Sequence, residues 1–371
     1  IYRNTAKRSF ATTFAEELFQ SGIIPSDSDF RIFKNFGHIP GLDIAHFKNG
    51  YVYHTKFDSI DVIPRGTLQS TGDNILALAR AFSNSTELKD PENHASGHAI
   101  FYDFLGLFII DYTEDTGKII NTAVVVVALV LVAISLWCIA ADSFISICSV
   151  FKLFSLIFIV HLVGWILALA LPLLVAVALD SAASPMTWFT NKWLVLGLYA
   201  CPALFGLSVL KLISFSQKDK VSHPYRLQLV YHAHTLILSV ACIALTYVGI
   251  RSSYFLMISL IFQDIALIIN FVTTLYRRAY YWSIFVTLSQ IIPFLYFTSI
   301  FNALLTGFIP MMGRFGTATN PDLIVGLLTT LGTLLAMGYL IPLLNIFRRP
   351  KLVLLILPTV TIIFGALTLT L

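Results

Sequence analysis

Two hydrophobic patterns divide the chain. Up to about residue 118 apolar positions are broken at short intervals by charged and polar ones, and beyond it they merge into long runs. In the first part Phe10, Phe14 and Leu18 recur every four residues within Ser9 to Gln20, and Gly22 follows. That spacing predicts an amphipathic helix packed on a sheet. Pro25 then breaks the chain. Ser26, with Asp29 three residues on, predicts the capped start of a second helix that buries Phe30 and Phe33 and ends at Gly37. Leu42 to Phe47 and Tyr51 to Thr55 alternate around Asn49-Gly50, a pair that tolerates the positive φ angles of a tight turn, and so predict a β-hairpin. From about Gly66 to Ser83, Leu68, Thr71, Ile75, Leu78 and Phe82 line one face of a third helix. The run Ala99 to Tyr112 fits either a strand leading into a helix or one continuous element.

The second part holds eight uncharged or nearly uncharged runs, at 119–141, 153–179, 193–215, 227–250, 252–276, 279–309, 323–347 and 352–371. Each is long enough to cross a hydrocarbon layer of about 30 Å at about 1.5 Å per residue. A backbone in lipid must satisfy its own hydrogen bonds, so these runs read as helices. The expected fold class is an α/β module over residues 1–118, followed by an all-α polytopic membrane domain of eight transmembrane helices over 119–371.

Composition agrees with this division. Charged residues make up 12% and hydrophobic ones 57% of the 371, and the mean hydropathy is +0.81, values outside the range of soluble proteins. Residues 1–118 carry 11 of the 24 Lys and Arg, so the water-facing part comes first. A net charge of +4, dispersed along the chain, argues against nucleic-acid binding. Cys138, Cys148, Cys201 and Cys242 all fall in or beside the apolar runs, which leaves no disulfide framework in the soluble part. The chain opens with Ile1 inside what reads as a domain and stops at Leu371 without a polar flank, so a fragment is expected.

Loop charges set an orientation. One set of alternate loops carries Lys152, Lys218, Lys220, Arg226, Arg277, Arg278, Arg348, Arg349 and Lys351, and the other only Lys192, Arg251 and Arg314. The positive-inside rule places the first set in the cytosol, and the soluble module on the opposite side. There the sequon Asn84-Ser85-Thr86, at the expected end of the third helix, could be glycosylated. Within the runs, His161, His232, His234 and Asp264 are ionisable. Such groups mark a transport or proton path, or else are neutral groups hydrogen-bonded between helices, and the lack of an internal repeat favours the second reading.

The chemistry-bearing residue of the soluble part is His54, at the end of the second predicted strand. A neutral imidazole there can ligate zinc, with a nearby carboxylate such as Asp58 fixing its tautomer, although a plain surface histidine has the same pattern. Phe19 to Phe33, Ile39 to Asp58 and Leu68 to Leu78, in that order, resemble the C-terminal part of the peptidase domain of the endoplasmic reticulum metallopeptidases. These are zinc exopeptidases related to aminopeptidase Y and glutamate carboxypeptidase. The resemblance covers about the first 112 residues. It implies that His54 is the last histidine ligand of a two-zinc site, that Tyr53 contacts a peptide substrate, and that the module lies in the lumen of the endoplasmic reticulum. The remaining ligands are missing: there is no His-x-Asp and no His-Glu-x-x-His. Glu16-Glu17 lies where the resemblance places no catalytic residue and reads as a solvated helix face. The expected function is therefore membrane-bound, zinc-dependent peptide hydrolysis, with this chain inactive alone. The alternative is a polytopic transporter or membrane scaffold carrying a degenerate peptidase remnant.

Overall fold

The computed structural model describes residues 1–22, 28–90, 98–214, 220–314, 320–347 and 349–370. The chain forms two compact units, one of residues 1–120 with 246–252, the other of residues 121–245 with 253–371.

The first unit contains α1 (Tyr2–Thr5), α2 (Thr13–Gln20), α3 (Asp29–Asn35), α4 (Thr67–Ser83) and two strands, β1 (Ala99–Phe104) and β2 (Phe108–Thr113). The Thr12 hydroxyl caps α2 by accepting from the Phe14 amide. β1 and β2 pair antiparallel, with Tyr102 opposite Ile110 and Phe104 opposite Phe108. The ambiguous run Ala99 to Tyr112 is thus a hairpin, turned by Leu105 and Gly106 at φ 54° and 70°. On its other side β1 holds the entry to α2, where the Thr13 hydroxyl donates to the Phe101 carbonyl at 2.9 Å and accepts from its amide at 2.7 Å. Leu18, Leu78, Ile100, Tyr102 and Ile109 are buried.

Three local expectations are corrected. The alternating runs around Asn49-Gly50 form no strands. Asn49 does adopt positive φ, at 58°, but the chain continues through successive turns, with Val52 N bonded to Asn49 O and Thr55 N to Val52 O. An alternating strand needs a face to bury and a partner edge. Here Leu42, Ile44, Phe47, Tyr51 and Tyr53 all stay exposed. The second helix begins at Asp29 behind Ser28, and Ser26 lies outside the described residues. Its Phe33 is exposed rather than buried, as are Leu68 and Ile75 on α4.

The second unit is helical throughout. Its helices are α5 (Glu114–Asp142, which starts in the first unit), α6 (Ile147–Ser181), α7 (Cys201–Ser214, preceded by a π-helical turn Leu196–Ala200), α8 (His223–Val248), α9 (Tyr254–Val272), α10 (Trp282–Ser289), α11 (Ile291–Met312), α12 (Pro321–Met337), α13 (Ile341–Leu344) and α14 (Pro350–Thr370). Seven helices are long and apolar enough to cross a membrane, and Leu196–Leu210 is a shorter apolar one. α6 and α7 pack closely because glycines face each other's backbone. A Cβ on Gly206 would sit 2.6 Å from the Leu167 carbonyl carbon, and one on Gly164 would sit 3.1 Å from the Leu207 oxygen. Elsewhere Val132, Leu136 and Ile139 of α5 meet Phe154 and Ile157 of α6 and Leu229 and Ala233 of α8.

Candidate functional site

His54 stands on the chain of turns described above, not at the end of a strand. Its backbone is left-handed, at φ 58°, a conformation uncommon outside glycine although less so for histidine than for most residues. Two bonds fix the turn after it: the Thr55 hydroxyl donates to the Val52 carbonyl at 2.6 Å and accepts from the Phe57 amide at 3.2 Å. Tyr53 stacks on the His54 ring, with centroids 3.9 Å apart and planes 20° apart. Both side chains and Asp58 are exposed. The Asp58 amide bonds the Thr55 carbonyl at 3.1 Å, which keeps the residue in the same turn. Upstream, His46 is tied to the Thr71 hydroxyl at 3.0 Å and Asp43 accepts from the Ser28 hydroxyl at 2.5 Å.

The arrangement presents one imidazole, a stacked phenol and one carboxylate to solvent. No group of three or more His, Cys, Asp or Glu residues that could hold a metal occurs among the described residues. A zinc site needs three or four protein ligands, so these residues fit the role of one ligand donor and do not by themselves make a site.

Glu16 and Glu17 also depart from their expected place. They do not form a solvated face, because Arg251 and Ser252, which belong to the same unit, lie on them. The Arg251 guanidinium donates from Nη1 to Glu16 Oε2 at 2.9 Å and to the Ala99 carbonyl at 3.0 Å, and from Nη2 to Gln20 Oε1 at 3.0 Å. The amides of Arg251 and Ser252 donate to the two Glu17 oxygens at 2.7 and 2.9 Å, and the Ser252 hydroxyl also donates to Glu17. The Arg251 side chain is 6% exposed. The available signal was Arg251 itself, an isolated cation between two apolar runs.

In the second unit, His161 Nε2 and His234 Nδ1 meet at 3.3 Å, and Trp165 stacks on His234. His232 and Asp264 are also buried but lie outside that pair. A further buried carboxylate, Asp322, escaped the sequence reading because it sits just before an apolar run. Its oxygens accept from Trp188 Nε1 at 2.7 Å, the Tyr199 hydroxyl at 2.8 Å and the Met186 amide at 3.0 Å. Asn320 caps α12 beside it, with Pro321 in the first turn.

Comparison with known proteins gives this arrangement its context. Residues 150–369 match the family model "Endoplasmic reticulum metallopeptidase 1, TM domain", and residues 2–79 match "Peptidase family M28". A stretch that matches peptidase family M28, joined to a block of long apolar helices, defines the class as membrane proteins with an M28-type module. Endoplasmic reticulum metallopeptidase 1 of Mus musculus is 29% identical over 359 residues, covering 94% of this chain and 39% of that protein. The Homo sapiens protein of the same name is 28% identical over 357 residues, 94% of this chain and 38% of its own length. Putative endoplasmic reticulum metallopeptidase 1-A of Caenorhabditis elegans is 30% identical over 354 residues, 93% of this chain and 38% of its own length. The chain belongs to the endoplasmic reticulum metallopeptidase 1 family. It spans about two-fifths of the length of these curated relatives. No solved structure matches it.

Proposed function

We propose that the chain is part of a membrane-bound, zinc-dependent peptidase of the endoplasmic reticulum, which contributes His54 as one ligand of a two-zinc site. The observation that carries this reading is that one family's relatives align over the whole combination, M28 stretch and membrane block together. When bound, zinc would supply Lewis-acid activation of water for peptide hydrolysis. On this chain's side, His54 would hold the metal through a ring nitrogen, Tyr53 would hold that ring in place and face the peptide, and Asp58 would steady its orientation. The left-handed backbone supports the assignment, since such conformations cluster at ligand clamps. The exposed apolar residues of α3 and α4 are the surface that further parts of an M28 domain would cover.

In the same reading the module is lumenal, Asn84 is glycosylated and eight helices cross the membrane. The side chain of Asn84 is exposed at the end of α4. Parity supports an eighth crossing in this reading. Arg251 bonds α2 and β1, so its segment lies on the module's side of the bilayer, but α5, α6 and α8 alone would make three crossings and place it on the other. The π-helical turn and α7 together run from residue 196 to 214, about 28 Å at the helical rise, and supply the fourth.

The test is His54→Ala in the full-length protein, with hydrolysis of a peptide substrate and bound zinc both measured. Loss of most activity together with a fall in zinc is expected, and unchanged values of both would remove His54 from the site.

A further inference from the structure

The membrane block contains a cavity lined by Ser135 of α5, Gln228, Tyr231 and His232 of α8, Asn270 of α9 and Trp282 of α10. Its volume is ≈ 10 Å³, room for about one water molecule. Five polar atoms of its lining residues find no hydrogen-bond partner among the described residues: the Tyr231 hydroxyl, both ring nitrogens of His232, Asn270 Oδ1 and Trp282 Nε1. These residues are 0%, 1%, 3% and 2% exposed, in that order. Buried polar groups in native proteins are almost always bonded to protein or to ordered water, so five together around one cavity need a common explanation.

The chemistry of the wall narrows the occupant. Asn270 is fixed, because its Nδ2 donates to the Trp282 carbonyl at 3.0 Å, which leaves Oδ1 as an acceptor. Trp282 Nε1 can only donate, the tyrosine hydroxyl does either, and a neutral imidazole offers one donor and one acceptor. A ligand must therefore both donate and accept, and must be very small. An anion would be repelled by Asn270 Oδ1, and an apolar ligand would leave every group unanswered. Gln228 is held beside the cavity by a bond from Nε2 to the Tyr276 carbonyl at 2.9 Å. The cavity thus lies near the start of α8 and the end of α9, where the basic residues Arg277 and Arg278 follow.

The geometry points to an intramembrane water site, in which water bound between α5, α8, α9 and α10 bridges His232, Tyr231, Asn270 and Trp282. Such water makes His232 a proton-exchanging group rather than a ring sealed in hydrocarbon. The other titratable side chains on the wall are Tyr231 and Tyr276, and Asp264 lies one turn along α9 from Leu267, which also lines the cavity.

X-ray footprinting of the intact, full-length protein tests this, because hydroxyl radicals formed from bound water oxidise the side chains they touch. Trp188 and Tyr199 are matched references. Both are 0% exposed, but their polar atoms are bonded to Asp322. Trp282 and Tyr231 are expected to oxidise several-fold faster than this pair, and the excess should vanish in Asn270→Leu. Should that variant fail to give a single gel-filtration peak, His232→Phe, which keeps a ring but neither nitrogen, carries the same expectation. Equal rates for the two pairs in the unsubstituted protein overturn the site. An excess that survives either folded variant overturns it too, since water would then reach the rings without using the polar wall.

Discussion

His54 and the Glu16-Glu17 pair lie in the same unit and are both polar, but their surroundings are opposite. Around Glu16 and Glu17 every strong acceptor is engaged, and the Arg251 cation that engages them is itself almost wholly buried. His54 sits on a left-handed turn in solvent, its ring stacked on Tyr53 and its nitrogens without a hydrogen bond among the described residues. The lesson is that saturated polar groups hold structure, while exposed groups on a costly backbone are available for chemistry. Sequence spacing alone does not separate the two.

The largest effect that would sharpen this contrast is expected at the saturated site. Arg251→Ala removes the cation and leaves two carboxylates facing each other's charge, at a cost of about 3–5 kcal/mol. A lower apparent Tm and faster proteolysis of the module should follow. Arg251→Lys should recover only part of this, because an ammonium cannot reproduce the guanidinium fork. Asp58→Asn comes next, through function rather than stability. If the carboxylate orients His54, zinc affinity should fall about 10–100-fold with Tm unchanged, and an unaltered zinc titration would take Asp58 out of the site. Next, His54→Ala should change stability by no more than about 0.5 kcal/mol, as expected of a surface residue, while removing most hydrolysis. A large loss of stability would break the contrast. The smallest shift is predicted for His54→Gly, where relief of the positive φ should leave stability equal or slightly higher. For orientation, endoglycosidase treatment should sharpen the band of the protein on a gel, and Asn84→Gln should abolish that change.

Much of the membrane block was legible because its constraint is local. Length and hydropathy suffice to recognise a helix in lipid, and each of the eight runs finds an apolar helix, seven of them long. The soluble module was legible only where side chains pair within a short stretch. Helix α4 was expected from its apolar face and is present, but Leu68 and Ile75 on that face are exposed. The hairpin expected at residues 42–55 is absent because alternation specifies a face without specifying what covers it. The hairpin at 99–113 forms because Asp103 anchors its turn by accepting from the Gly106 amide at 2.9 Å. Arg251 stands out in the sequence as an isolated cation but its partner Glu16 does not, since no periodicity links residues so far apart, whereas Tyr53 on His54 is a contact between chain neighbours.

That long-range contact has a consequence for biosynthesis. Arg251 and Glu16 are 235 positions apart in the chain. At translation rates of about 5–20 residues per second, roughly ten to fifty seconds separate the emergence of the acidic helix from that of its cation. During that interval Glu16, Glu17 and the edge of β1 are uncovered while helices α5 to α8 are being made. The module therefore completes this packing only after α8 has been made. In a chain that stops before Arg251, Glu16 and Glu17 would lack the cation and the amides that engage them.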